Sequence, residues 1–190
     1  MRDRIQDVLL ESIHVKETIL RNQISEIKAM AEIMIEALRK GGKVILFGNG
    51  GSAGDCQHIA AELVGRFKKD RGALAGIALT TNTSIITSLA NDYGYDVVFA
   101  KQVEALGQKN DIALGISTSG KAKNVALGLK QAKKMGLKTI AWSGGDGGEI
   151  CRIADVSFVV PSSITARVQE AHITVGHIIC ELIEQELCQA

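Results

Sequence analysis

The chain has 190 residues, of which 46% are hydrophobic and 23% are charged. This length suits one domain, and the composition is ordinary for a globular protein with a buried core. The formal net charge is +1, and the densest basic cluster is the short run 66–71, so we expect no nucleic-acid partner. No run of about 18 apolar residues is present, so we expect no membrane partner either.

The cysteines and the first residues of the chain point to a reducing compartment. Cys56, Cys151, Cys180 and Cys188 form no C-x-x-C pair, so neither a disulfide framework nor a zinc ribbon is indicated. Residues 1–20 carry acids and bases throughout, unlike the apolar centre of a signal peptide. We therefore expect free thiols and a cytoplasmic location.

Two amphipathic helices are predicted before residue 40. Apolar residues recur at helical spacing over 3–21 and again over 24–39. The pair Gly41-Gly42 then ends the second helix. Because both helices have apolar faces, we expect this N-terminal part, 1–40, to contribute to contacts between subunits.

After residue 42, short apolar runs alternate with helical patterns. Strands are predicted at 44–47, 76–79, 112–116, 138–142 and 156–160, and helices at 52–65, 83–91, 95–106, 121–135 and 165–187. This alternation predicts an α/β fold with a five-stranded parallel sheet that is flanked by helices on both faces. The chain shows no internal repeat or linker, so we interpret residues 1–190 as a single domain.

Polar and glycine-rich turns follow the predicted strands, at the edge where open α/β sheets bind ligands. GNGGS at 48–52 opens a helix, whose unpaired N–H groups could bind an anion. STSG at 117–120 offers three hydroxyls that could surround a phosphate. A tight turn and an ordinary N-cap remain simpler interpretations of these two segments. We interpret the segment 143–148 as a structural turn, and Asn91 and Asp92 as a capping or turn pair.

Two helices carry side chains that could take part in chemistry. His58 and Glu62 are four residues apart on one helix face, where they could bind a metal, move protons or form a surface ion pair. Gln169 and His177 lie about 80° apart around the last helix and can reach toward one point. His172 lies on another edge of that helix, and His177 by itself could equally be a core histidine.

Five segments distributed along the chain carry a family pattern: GNGGSAGDCQHIAAELVGRF (48–67), ANDYGYDVVFAKQVEALG (90–107), GISTSG (115–120), DGGEICRIAD (146–155) and RVQEAHITVGHIICELIE (167–184). Together they resemble the phosphoheptose isomerase family of SIS-domain proteins over essentially the whole chain. GNGGS and STSG indicate only the wider SIS group. The combination of His58, Glu62, Gln169 and His177 is more specific. The resemblance implies the three-layer SIS fold.

The resemblance also implies an activity, a metal and an assembly. The implied reaction converts sedoheptulose 7-phosphate into D-glycero-D-manno-heptose 7-phosphate through an enediol, at the start of ADP-heptose and lipopolysaccharide core synthesis. The implied assembly is a zinc-binding homotetramer. By resemblance, the zinc ligands are His58, Glu62, Gln169 and His177, with Glu62 and His177 also catalytic. The implied substrate contacts are Asn49, Gly50, Gly51, Glu62, Asn91, Asp92, Ser117, Thr118, Ser119 and Gln169.

One position departs from the family pattern. The family usually reads STSGNS, whereas this chain reads STSGKA, so Ala122 replaces a serine that binds phosphate and Lys121 adds a positive charge. A different phosphosugar isomerase activity therefore remains open. The other alternative is a non-catalytic SIS protein that binds the replication initiator. Such proteins typically lack the acidic residue and the histidine found here at 62 and 177.

Overall fold

The computed structural model describes residues 1–188. Its strands are β1 (Val44–Gly48), β2 (Gly76–Ala78), β3 (Ile112–Ile116), β4 (Lys138–Gly144) and β5 (Val156–Val160). Its helices are α1 (Arg2–Asn22), α2 (Ile24–Arg39), α3 (Gly51–Val64), α4 (Thr83–Tyr93), α5 (Val98–Leu106), α6 (Lys123–Lys134), α7 (Gly148–Ile153) and α8 (Thr165–Leu187), with a 3₁₀ turn at Tyr95–Val97. Within residues 1–188, no helix is both long and apolar enough to cross a membrane.

All five strands form one parallel sheet in the order β2-β1-β3-β4-β5, which confirms the predicted sheet. The central strands β1 and β3 are apolar at every position and completely buried, as expected of strands covered on both faces. After β1 the chain adds β2 on one side, and it then returns to place β3 on the other. In this strand order, ligands bind at the β1–β3 switch point, beyond the carboxyl ends of the strands.

Helices cover both faces of the sheet and give three layers. One core joins α1, α2, α3 and α8, with Met34, Ile59 and Ile183 packed on the sheet near Trp142. The opposite core joins α5, α6 and α7 to the other face. The three-layer arrangement and both predicted N-terminal helices are therefore confirmed.

The structure differs from the prediction around two glycine-rich turns. The helix predicted from residue 121 begins only at Lys123, because Ala122 has an extended backbone and serves as the N-cap. The sequence did not predict the short helix α7, because glycines stand at its N-cap and at its first position. Gly147 and Gly148 both have positive φ angles, 78° and 60°, which resemble a turn rather than a helix in sequence.

Candidate active site

Two segments, the glycine segment (48–52) and the hydroxyl segment (117–120), lie side by side at the β1–β3 switch point. Gly48 is paired in register with Ile116, so Asn49 and Ser117 leave neighbouring strands at the same level. Gly50 has a φ of 54°, which favours glycine, and it directly precedes α3. The amino end of α3 therefore faces the space beyond both strands, in a position suited to an anion.

The hydroxyl segment is held by its backbone, and of its three hydroxyls only that of Ser119 has a partner, the Lys121 amide that donates to it over 3.3 Å, within the described residues. The Ser117 amide donates to the Trp142 carbonyl, and the Gly120 carbonyl accepts from two amides at the start of α7. A Cβ at Gly120 would collide with the Gly147 backbone, so this close packing requires glycine. Within residues 1–188, no hydrogen-bond partner occupies the hydroxyl of Ser117 or Thr118. The 143–148 segment thus packs against the hydroxyl segment and supports it, which agrees with the interpretation of 143–148 as a structural turn.

Asn49 is held by two residues that the sequence analysis did not identify. Its amide exchanges two hydrogen bonds with the amide of Asn124, each 2.9 Å long. The Tyr95 hydroxyl donates to Asn49 Oδ1 over 3.2 Å. Tyr95 lies within the family segment 90–107, but nothing local relates it or Asn124 to Asn49, because their role depends on contacts between distant parts of the chain.

Asn91 and Asp92 lie in the last turn of α4 and are both exposed. The Asn91 amide donates to the Asp92 carboxylate over 2.8 Å. The 3₁₀ turn that follows carries Tyr95, which contacts Asn49. The predicted pair therefore lies near the switch point, although neither side chain bonds to the glycine or hydroxyl segments within the described chain.

A cluster of one carboxylate and two imidazoles lies where α3 crosses α8. His58 Nε2 is 2.8 Å from His177 Nε2 and 3.2 Å from a Glu62 oxygen. Close approach of the two helices is possible because Gly176 has no side chain: a Cβ there would lie 3.0 Å from Ile59. These three side chains can offer ligand atoms that all lie within 4.8 Å of one another, which is compatible with a metal ion.

Gln169 lies between this cluster and the glycine segment. A Cβ added at Gly51 would meet both terminal atoms of the Gln169 side chain at 2.5 Å, so the amide lies directly over Gly51. Beside it is Asp55, a buried carboxylate that the sequence analysis missed. Burial raises the pKa of Asp55, and the Gln169 amide and His58 oppose that rise. The spacing of Asp55, His58 and Glu62 on one helix face was a signal that could have identified this carboxylate.

A buried ion pair holds the loop after α3 against α8. Glu184 accepts hydrogen bonds from the backbone amides of residues 67–69 and from the Arg71 guanidinium. Arg71 also donates to the carbonyl of Glu62. Phe67, fixed by this loop, has its ring 5.5 Å from that of His177. The network thus helps to position Glu62, through its carbonyl, and His177, through its contact with Phe67.

His172 is separate from the site. It is fully buried between Trp142 and Phe158, and its Nε2 lies 3.1 Å from the Ser143 carbonyl oxygen. Burial lowers the pKa of His172 to about 4, with the Ser143 carbonyl opposing. The prediction that His172 and His177 lie on different edges of the helix is therefore confirmed. His177 instead reaches the cluster and is not a core histidine.

Comparison with known proteins places this geometry in a family. The family model described as SIS domain matches residues 10–144. The phosphoheptose isomerase of Aquifex aeolicus (strain VF5) is 51% identical over 189 residues, which cover 100% of this chain and 99% of the relative. The chain belongs to the phosphoheptose isomerase family. It is therefore an aldose–ketose isomerase of the phosphosugar class.

Solved structures of phosphoheptose isomerases have the same fold. The enzyme from Neisseria gonorrhoeae superposes with a TM-score of 0.92 at 42% identity, covering 97% of this chain and 98% of the other. The enzyme from Francisella tularensis gives a TM-score of 0.93 at 36% identity, with the same coverage. The predicted SIS fold is thus confirmed.

Proposed function

We propose that the chain converts sedoheptulose 7-phosphate into D-glycero-D-manno-heptose 7-phosphate. The observation that carries this proposal is the meeting of Glu62, His58 and His177 on α3 and α8, with the phosphate-binding candidates at the start of α3. From Gly51 to His58 the helix rises by roughly 10 Å. This separation leaves room for the sugar chain between its phosphate and its carbonyl end.

The switch point would hold the phosphate end of the substrate. The hydroxyls of Ser117, Thr118 and Ser119 and the amino end of α3 supply donors without any metal. Lys121 is exposed directly after this segment and would add a positive charge where Ala122 offers no hydroxyl. The complete set of proposed substrate contacts is Asn49, Gly50, Gly51, Glu62, Asn91, Asp92, Ser117, Thr118, Ser119 and Gln169.

The reaction moves one proton between carbons and one between oxygens. Glu62 would take the proton from C1 of the ketose, giving the enediol, and return it to C2. His177 would accept the proton of the C1 hydroxyl and donate a proton to the oxygen on C2, so that the aldose forms. General acid–base groups of this kind each typically contribute about 10²–10⁴-fold to the rate.

The cluster fits zinc, which prefers nitrogen and oxygen ligands about 2.0–2.1 Å away in a tetrahedron. Such ligands are separated by roughly 3.3 Å, close to the 2.8 Å and 3.2 Å separations of His58 from His177 and Glu62. We propose that these three residues and Gln169 hold the ion. When bound, zinc would polarise the substrate oxygens as a Lewis acid.

We further propose a homotetramer of single SIS domains spanning 1–190. Val15 and Ile19 of α1 share one core with α2 and the sheet, which supports a single domain. Leu9 and Ile13 lie together on a different face of α1 from Val15 and Ile19, and each is more than half exposed. This exposed apolar face supports burial between subunits. Light scattering should show dissociation of Leu9→Asp and Ile13→Asp, whereas the exposed polar control Glu17→Gln should assemble normally. Intact tetramers in both aspartate variants would contradict this arrangement.

We also propose a cytoplasmic enzyme whose product enters ADP-heptose and lipopolysaccharide core synthesis. The location is supported by four free cysteines, which suit a reducing compartment. The pathway is supported by the family resemblance. The core oligosaccharide of a strain that lacks the gene, analysed by mass spectrometry, would test the pathway, and cell fractionation would test the location.

The deciding experiment is turnover of sedoheptulose 7-phosphate followed by NMR, on metal-stripped and zinc-reloaded protein. We expect the aldoheptose phosphate to form with the native chain and with the remote control His14→Gln, and to be absent with Glu62→Gln and His177→Gln. Zinc dependence would separate a catalytic from a structural ion. Turnover of a pentose phosphate instead would indicate a different phosphosugar isomerase. No turnover of either sugar by folded, zinc-loaded protein would favour the non-catalytic binding protein.

A further inference from the structure

A reciprocal amide pair joins the two segments at the switch point. Asn49 Nδ2 donates to Asn124 Oδ1, and Asn124 Nδ2 donates to Asn49 Oδ1. Asn49 directly follows β1, whereas Asn124 lies in the first turn of α6, just after the hydroxyl segment. Asn124 is only 4% exposed. The pair therefore ties the glycine segment to the element that follows the hydroxyl segment.

A backbone donor fixes the orientation of this pair. The Val125 amide donates to Asn124 Oδ1 over 2.9 Å. A backbone amide can only donate, so the atom that faces it must be the oxygen of Asn124. The nitrogen of Asn124 must then face an oxygen, which is Oδ1 of Asn49. The Tyr95 hydroxyl donates to the same oxygen. Both lone pairs of Asn49 Oδ1 are thereby occupied.

What Asn49 has left to offer a ligand is a donor. Its amide nitrogen carries two hydrogens, and Asn124 accepts one of them. Within residues 1–188, no acceptor is bonded to the second. An N–H group attracts the phosphate oxygens of a phosphosugar, which only accept hydrogen bonds, whereas a rotated amide would present an oxygen and repel them.

We propose that Asn124 is a positioning residue for substrate recognition, and that it holds Asn49 with an N–H toward the substrate, with Tyr95 as the second support. This inference rests on the proposed function, because it takes Asn49 as a substrate contact. The three residues join β1, α6 and the turn after α4. Substrate affinity is thus coupled to residues that do not themselves touch the sugar.

Three substitutions test the proposal. Asn124→Asp replaces the donor to Asn49 Oδ1 with an oxygen, so residue 124 no longer selects one orientation of the Asn49 amide. Asn124→Leu removes the pair without adding charge. Tyr95→Phe removes only the second bond. Asn22→Asp, on the exposed face of α1, repeats the first chemical change away from the site and serves as the control.

We expect both Asn124 variants to raise the KM for sedoheptulose 7-phosphate roughly tenfold or more, which is typical of a lost hydrogen bond to a charged group. Tyr95→Phe should raise KM by a smaller factor, and kcat should change little in all three variants. Zinc content and melting temperature should remain close to native in Tyr95→Phe and in the control. A fall in kcat with unchanged KM would contradict a role in substrate positioning.

Two further outcomes would overturn the proposal. If only Asn124→Asp binds substrate weakly, the effect is charge repulsion and Asn49 is not held in the proposed way. If Asn124→Leu does not fold, Tyr95→Phe decides alone, and native KM in that variant counts against the proposal. Calorimetric binding of sedoheptulose 7-phosphate separates the two proposals. A native chain that binds the sugar without turnover disproves the proposed conversion of this sugar, and the same variants then still test the amide pair by affinity.

Discussion

The buried carboxylate of Glu184 should contribute a large, pH-dependent share of the stability. Burial by itself would raise its pKa, but the backbone amides of residues 67–69 and the Arg71 guanidinium outweigh burial and lower the pKa to about 2. The usual value is 4.5. At 1.36 kcal/mol per pKa unit, this difference corresponds to about 3 kcal/mol. Because Glu184 is only 2% exposed, solvent screening removes little of it.

The sign of the effect follows from the lowered pKa. The unfolded chain binds a proton at Glu184 below pH 4.5, while the folded chain resists protonation down to about pH 2. The stabilisation is therefore complete above about pH 5 and is lost as the pH falls toward 2. Glu184→Gln should lower the free energy of unfolding by about 3 kcal/mol at pH 7, and this difference from the native chain should shrink on acidification.

Denaturant unfolding at fixed protomer concentration, between pH 7 and pH 3, measures this difference. Glu181→Gln is the matched control, since Glu181 lies on the same helix but pairs with Lys68 at the surface. That pair should be worth less than about 1 kcal/mol. A Glu184→Gln difference that stays constant with pH, or one no larger than the control, would refute the reasoning.

Three further predictions concern α3 and α8. Gly51→Ala should displace Gln169 and weaken zinc binding, which competition with a chelator measures. Gly54→Ala is the control, because its Cβ would meet no atom within 4 Å and zinc affinity should not change. This control should also stabilise α3 by about 0.5–1 kcal/mol. His172 should remain neutral down to about pH 4 in NMR titrations, with signals assigned from His172→Gln, and a midpoint near 6.5 would contradict its burial. Gly176→Ala should separate α3 from α8 and lower zinc affinity, and native affinity would show that the helices can shift without loss.

The strands and most helices could be predicted because each depends on a local pattern. The buried strands β1 and β3 are written as continuous apolar runs. The helix α7 could not be predicted, because its N-cap Gly147 and its first residue Gly148 both have positive φ, and the start of the helix depends on packing against Gly120. Periodicity reports a local preference, whereas this helix is stabilised by tertiary contacts.

Residue spacing by itself could relate site residues only where they share a helix, and the family resemblance supplied the link between α3 and α8. The i, i+4 spacing of His58 and Glu62 placed both on one face, but the residues alone did not distinguish a site from an ion pair. His177 joins them because Gly176 lets α8 approach α3 closely. Local sequence patterns do not indicate which helices cross in the folded chain. Asn124 lies 75 residues from Asn49 in the chain, so no local pattern relates them.

Part of the proposed chemistry lies far along the chain from the segments proposed to hold the phosphate, although Glu62 shares α3 with one of them. The anion-binding candidates all lie at or before residue 121, whereas Gln169 and His177 lie on α8, beyond the residues 10–144 that the SIS family model matches. Under the proposed function, substitutions on α8 could abolish turnover while the chain still binds the phosphate of its substrate. A few substitutions on α8 would then convert such an isomerase into a protein that binds its substrate without converting it.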